Sequence, residues 1–457
     1  MKHINEDKIV GLIEKAKNVS ARDIKAILEK SKLLKRLTLE ETASLLAVKD
    51  EALIKKIFDA AWYVKDTIYG RRMVIFAPLY ISNICSNNCL YCAFKSDNKL
   101  VERKALSLDE IKNEVELLLK KGHKRILLVA GEKDDNVSYY VDAIRAIYSV
   151  KIGKNYIRRV NINCAPLSVE DFKKIKAAGI GTYQLFQETY HDVTYRKVHP
   201  KGPKSDPDNR LDAVDRAFKA GIDDLGIGVL YGLYDYKFDT LALLSHIEYL
   251  EKTFGLGPHT ISVPRIEPAF GSDFSKNVPY KISDSEFKKI IAILRLSVPY
   301  TGMILSTRES SGLRDELFSL GISQISAESK TSPGGYQEGR KDIASQFAIS
   351  DERTLDEVVA SLIKKDFIPS FCAACYRKER TGGTFMNLAK PGAIKDKCTI
   401  NGIITFKEYL DDFASDEVKK NGNNLINRFK ERLGRNDKAL LEEYLKNIEQ
   451  GARDEYI

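Results

Sequence analysis

Cys85, Cys89 and Cys92 stand in the segment LYISNICSNNCLYCAF at C-x3-C-x2-C spacing. Three thiolates on one short loop can ligate three irons of a cubane cluster and leave the fourth iron open. An open iron is wasteful in an electron carrier and useful where a small molecule must bind the metal. Zinc takes four ligands, and neither a histidine nor a fourth cysteine lies near this loop to complete them. A second group, Cys372 and Cys375 followed after 22 residues by Cys398, offers three more thiolates. His3, His123, His191, His199, His246 and His259 all precede it, so none completes a zinc site within it. A structural zinc with a remote ligand is the alternative to a second open cubane. The seventh cysteine, Cys164 in NINCAPL, reads as a small buried apolar residue.

Loops of this kind need a scaffold, and the chain has the material for one. Its 457 residues are 43% hydrophobic and 30% charged, the balance of a soluble globular protein with a sizeable core. Clustered cysteines in a chain of this size argue for metal sites rather than disulfides. The net charge of +9 comes from Lys and Arg interleaved with Asp and Glu (KKGHKR, KSDPDNR), read as mixed-charge surface rather than a nucleic-acid face. The charged opening MKHINEDKIVGLIEKAKN is no secretory segment, and no apolar run has the length of a membrane span; cytoplasmic location is the expectation, with no nucleic acid and no membrane as partner.

Residues 1–72 read as helices, with Ser20, Thr38 and Ser107 as candidate N-caps here and just beyond. From residue 73, eight apolar β-branched runs (73–82, 125–131, 159–166, 182–188, 224–232, 260–268, 303–310 and 324–329) alternate with amphipathic stretches, several closed by glycine (Gly122, Gly179, Gly221). Eight such units make an α/β chain of the closed (β/α)8 TIM-barrel class, with a doubly wound open sheet as the alternative. Past residue 350 the alternation stops, so the expected division is a helical region 1–72, a barrel 73–345 and a mostly helical cluster-binding domain 346–457. The first cysteine loop follows strand one. Asn163 on strand three, Gln187 and Glu188 on four, and Arg265 and Glu267 on six lie where barrel active sites gather, or serve as ion pairs at the barrel mouth.

At the first cysteine loop the chain resembles the radical S-adenosylmethionine (SAM) superfamily. The resemblance implies a 4Fe–4S cluster whose open iron is chelated by SAM, which reduction cleaves to a 5′-deoxyadenosyl radical. Tyr91 matches the family's aromatic residue near the adenine. Ala130, Gly131 and Glu132 look like the family's GGE motif, which receives the SAM ammonium, with Ala for the first Gly. Backbone carbonyls do much of that work, so Ala should be tolerated. Arg196 in TYRKVHP is the candidate partner of the SAM carboxylate.

Both cysteine groups on one full-length barrel resemble the HydG family, tyrosine lyases that mature [FeFe]-hydrogenase, over essentially the whole chain. Its sister family ThiH, the 2-iminoacetate synthases, resembles the barrel but lacks the second group. In GPHTISVPRIEPA, His259 matches the histidine that ligates an extra iron on the auxiliary cluster; on its own it reads as a structural or surface histidine. The resemblance implies cleavage of L-tyrosine at Cα–Cβ to p-cresol and dehydroglycine. The latter would travel through the barrel to the auxiliary 4Fe–4S cluster and yield CO and cyanide, with free L-cysteine as a further ligand there. It implies anaerobic chemistry, an electron donor such as ferredoxin or flavodoxin, and other hydrogenase maturation proteins as partners. Arg308, ending strand seven in LSTRESS, is the candidate anchor for the tyrosine carboxylate, with Ser326 on strand eight adding a hydroxyl; a salt bridge from Arg308 to Glu309 or Glu328 is the structural alternative. The competing functions are a ThiH-like or methylthiotransferase-like enzyme and a non-catalytic iron–sulfur scaffold.

Overall fold

The computed structural model describes residues 1–133, 137–337 and 345–457. Four helices open the chain: α1 (Glu6–Ala16), α2 (Ala21–Lys32), α3 (Leu39–Ala47) and α4 (Glu51–Tyr69). The expected caps are in place. Ser20 accepts the N–H of Asp23, and Thr38 and Ser107 each form a reciprocal capping box with the glutamate three residues on.

Eight parallel strands follow: β1 (Arg72–Ser82), β2 (Arg125–Ala130), β3 (Arg159–Asn163), β4 (Tyr183–Glu188), β5 (Leu225–Val229), β6 (Thr260–Ser262), β7 (Gly302–Leu305) and β8 (Gln324–Ser326). Each pairs with its sequence neighbour, and β8 returns to β1, with Gln324, Ile325 and Ser326 opposite Val74, Ile75 and Phe76. That last pairing closes the barrel and disposes of the open-sheet alternative. Each of the eight apolar runs became a strand, because a run buried on both faces needs no polar alternation. Among the described residues no helix is long and apolar enough to cross a membrane.

The C-terminal region is more tightly joined to the barrel than its sequence suggests. A ninth strand, β9 (Ile368–Ser370), lies parallel to Arg72–Val74, below Ala77 where β2 begins its pairing with β1. Three residues with a central proline carry no alternation to read, and Pro369 is tolerated because this strand is short and at an edge. The helix Lys395–Asp412 packs on β9, and its Tyr409 ring fills the space above Gly122. There φ is +97°, and an added Cβ would stand 2.8 Å from Tyr409 Cε2. The first cysteine loop therefore leaves one end of the barrel, after β1, and the second leaves the other end, after β9.

Candidate functional site

At the C-terminal end of the barrel, Cys85, Cys89 and Cys92 line a single cavity with Tyr91, Ala130, Gly131, Glu132, Asn163, Glu188, Arg308 and Ser326. The loop is pinned by its backbone. Ser86 N–H donates to Glu132 O, Gly131 N–H to Ser82 O, and Leu90 N–H to Val198 O, at 2.9, 2.8 and 3.0 Å. A Cβ on Gly131 would lie 2.4 Å from the Ile84 carbonyl oxygen, so the glycine permits strand β2 to abut the residue before Cys85. Burial pushes the Cys85 thiol up to about 11 and raises Cys89 and Cys92 too, which makes an unligated thiolate costly there. Each of the two cysteine groups brings three thiols to a cavity, a donor set that can hold three irons of an iron–sulfur cluster and leave one open.

Four charges meet beside this loop. Arg210 Nη1 donates to both Glu132 oxygens at 3.0 and 3.1 Å, and Asn87 Nδ2 donates to the same carboxylate at 3.0 Å. Lys204 Nζ reaches Glu188 Oε1 at 2.6 Å. Burial alone would push the Glu132 carboxyl up, but Arg210 and Lys204 outweigh it and hold it below the usual range. Glu188 sits at a β-bulge with φ +72°, which turns its side chain toward Lys204. Tyr91 hydroxyl and His199 Nε2 are 2.8 Å apart, and burial holds His199 well below the usual imidazole range.

The expectation for Arg196 is corrected here. It is exposed on the helix Asp192–Val198, pairs with Asp192 at 2.8 Å, and takes no part in the cavity. Besides Arg308, the cations that line it are Lys204 and Arg210, both within KSDPDNR, which reads as surface charge. Asp206 caps the helix Pro207–Lys219, and that helix turns Arg210 inward; only a fold-level placement could reveal it.

Arg308 is half-buried among strand ends. Glu309 is taken by Arg265 and Glu328 by Lys121, so neither expected salt bridge forms. No carboxylate pairs with Arg308 among the described residues; its guanidinium stacks on Phe347, 3.4 Å from the ring centre. Burial lowers its proton affinity below the usual arginine value. Ser326 lines the same cavity, its carbonyl held by Arg314. Asn163 Nδ2 donates to Gln184 O, and Glu267 also lines the cavity, whereas Gln187 turns away to the Pro207 carbonyl.

At the opposite end, Cys372, Cys375, Cys398 and His259 line a second cavity. His259 Nδ1 is 2.9 Å from Asp224 Oδ1, and Arg159 holds the other Asp224 oxygen. Burial pushes Cys375 up to about 12 and raises Cys398. Arg72, Arg125 and Arg380 line the same space, and the Nε of each is buried without a hydrogen-bond partner among the described residues. Sequence reading did not single out these arginines, because they lie far apart in the chain.

Residues 79–245 match the family model of the Radical SAM superfamily, and residues 262–368 match the Biotin and Thiamin Synthesis associated domain. The chain is 30% identical over 362 residues to the 2-iminoacetate synthase of Escherichia coli (strain K12), spanning 77% of this chain and 90% of that one. It is similar to a crystal structure of HydG, a maturase of the [FeFe]-hydrogenase, with TM-score 0.97, 49% identity and 100% of each chain covered. It is also similar to the HydG structure from Carboxydothermus hydrogenoformans, with TM-score 0.85, 44% identity, and 96% and 97% of the two chains covered.

Proposed function

The chain belongs to the HydG family of the radical SAM superfamily, and from that premise we propose that it cleaves L-tyrosine at Cα–Cβ to p-cresol and dehydroglycine and converts the dehydroglycine to CO and cyanide for hydrogenase maturation. The observation that carries this reading is Arg308, a half-buried guanidinium with no carboxylate partner among the described residues, lining the cavity of the first cysteine loop. A bidentate carboxylate is the ligand its geometry suits. Ser326 offers a hydroxyl in the same cavity. A pure scaffold would have no use for such a cation.

Cys85, Cys89 and Cys92 would hold the SAM-binding 4Fe–4S cluster, which supplies the electron that splits SAM and gives the 5′-deoxyadenosyl radical. Tyr91 and the Ala130–Glu132 turn would seat the adenosine and the ammonium, with Glu132 kept ionised by Arg210 and Lys204. Asn163 and Glu188 line the same wall and complete the polar contacts on that side. Cys372, Cys375 and Cys398 would hold the auxiliary 4Fe–4S cluster, with His259 placed to ligate an extra iron and Asp224 orienting its ring. The unpaired Nε groups of Arg72, Arg125 and Arg380 suit the carboxylate of a free L-cysteine at that site. A ferredoxin or flavodoxin as electron donor and other hydrogenase maturation proteins as recipients complete the proposal.

The test is product analysis on anaerobically reconstituted protein with SAM, tyrosine and a reductant. p-Cresol, cyanide and CO are expected; cleavage of SAM without p-cresol rejects the substrate. The ThiH-like reading predicts p-cresol alone. The double variant Cys372→Ser/Cys375→Ser should keep p-cresol and lose CO, whereas a ThiH-like enzyme would be indifferent to it.

A further inference from the structure

We infer that Gln346, held in one orientation by Tyr80, sets how readily the first cluster accepts an electron, through an N–H···S hydrogen bond to Cys92. The inference rests on the reading of Cys85, Cys89 and Cys92 as ligands of the SAM-cleaving cluster.

The contact is built from residues far apart in the chain. Gln346 Nε2 donates to Cys92 Sγ at 3.7 Å, and the Tyr80 hydroxyl donates to Gln346 Oε1 at 2.8 Å. Tyr80 and Gln346 both line the first cavity. An amide can turn either end toward a neighbour, and here the two contacts choose between them. A sulfur that ligates iron has no proton to give, so only the N–H end of the amide serves it. The amide oxygen then needs a donor, and a tyrosine hydroxyl, protonated at neutral pH, is one. The Tyr80 ring is itself fixed, buried on β1 and set edgewise against Phe94, with 6.0 Å between ring centres and 80° between planes.

The backbone that carries the amide is tied to the loop it serves. Ala93, the residue after Cys92, donates its N–H to Gln346 O at 3.2 Å, and Gln346 N–H donates to Thr331 O at 2.9 Å. Thr331 Oγ1 donates to Phe347 O at 3.0 Å, and Ala348 N–H to Pro268 O at 2.8 Å. A segment pinned in this way presents its side chain in a fixed direction. Backbone groups also reach the sulfurs, Asn87 N–H at 3.5 Å from Cys85 Sγ and Phe94 N–H at 3.3 Å from Cys92 Sγ. The second loop repeats that device, with Ala374 N–H 3.3 Å from Cys372 Sγ. At the first loop a side-chain amide is added to it.

Reduction places one further negative charge on the cluster and its sulfurs. A donor aimed at one of those sulfurs stabilises the reduced form more than the oxidised one, and so raises the reduction potential. The electron comes from the reductant, which is oxidised by one; Gln346 and Tyr80 keep their protons throughout.

The test is a redox titration of the reconstituted full-length holoenzyme without SAM, followed by electron paramagnetic resonance. The first cluster is identified as the one whose signal changes when SAM is then added, and the auxiliary cluster in the same sample is the control. Gln346→Leu keeps nearly the size of the side chain and removes the donor. At a fixed potential it should lower the ratio of reduced to oxidised first cluster about tenfold, or about 59 mV for one electron, with the auxiliary cluster unmoved. Tyr80→Phe leaves the amide without its orienting hydroxyl. It should shift the same ratio the same way by about threefold, and add nothing in the Gln346→Leu background. An unshifted first cluster in Gln346→Leu overturns the inference, as do an equal shift of both clusters and additive shifts in the double variant. If Gln346→Leu fails to hold iron at the first site, Tyr80→Phe decides alone, and an unshifted signal there overturns the inference. A parent protein with no SAM-responsive cluster removes the reading of the loop and the inference with it, a result distinct from the others.

Discussion

Arg308 and Arg196 show how little residue type says without surroundings. Both are arginines near barrel loops, yet one is half-buried with its acidic neighbours taken and the other is exposed and paired with Asp192. Arg308→Gln should lower kcat/KM for tyrosine roughly a hundredfold, about 3 kcal/mol, while SAM cleavage without tyrosine continues. A loss confined to SAM cleavage would move Arg308 out of the substrate role. Arg196→Ala should leave SAM binding within about twofold, the fate of most surface ion pairs. Arg210→Ala strips Glu132 of its bidentate partner in a buried site, and its cost should be about 3–5 kcal/mol, read as a fall in unfolding temperature together with weaker SAM binding. Equal behaviour of the two alanine variants would contradict the assignment of the cavity's cations.

At the scale of elements, the end of β2 and the loop after β1 are one mechanical unit. Gly131→Ala must displace the Ile84 carbonyl, since the new Cβ would stand 2.4 Å from it, and Cys85 follows Ile84 directly. Reconstituted Gly131→Ala should therefore retain about half the iron of the parent, the auxiliary site keeping its share; full iron with normal SAM cleavage would show that the loop can yield. The helix Tyr236–Phe254 carries a second such device. Asp239 accepts the Thr189 hydroxyl and the Tyr190 N–H, but its other oxygen is buried without a partner. Burial raises its carboxyl from 3.8 to about 7. Because the folded value is the higher one, the stability it contributes is full below the unfolded value and is lost as pH rises through about 7. Asp239→Asn keeps the amide oxygen as acceptor and cannot ionise, so its unfolding temperature should exceed the parent's at pH 8 and not at pH 5. Parallel pH profiles would count against this.

The whole molecule is a barrel with a cysteine-lined cavity at each end, and five strands, β1, β2, β3, β7 and β8, line both. Phe76, Ile304 and Ser326 face the first cavity; Val74, Gly302 and Gln324, two residues earlier on the same strands, face the second. Two residues span about 7 Å along a strand, so one layer of side chains divides the cavities. A small product of the first site can reach the second without meeting bulk water if that layer parts. Val74→Phe thickens the layer. It should hold p-cresol formation within about twofold and cut CO several-fold, measured in one anaerobic reaction. An undiminished yield of CO would place the route outside the barrel.

Spacing along the chain determined a good part of this protein. Three cysteines within eight residues must share one loop, and eight doubly buried apolar runs must alternate with helices, because both are local constraints that need no partner far away. Capping residues behaved in the same way, as Thr38 and Ser107 illustrate. The tertiary structure decided everything that depends on distant residues meeting. Lys204 and Arg210 became the buried counterions of Glu132 and Glu188, Arg72, Arg125 and Arg380 converged on the second cysteine cavity, and Arg308 was left without an acid partner among the described residues, only because the barrel closed. The physical reason is desolvation. A charge in sequence is merely a charge, and its role is fixed by which charges are enclosed with it when water is removed.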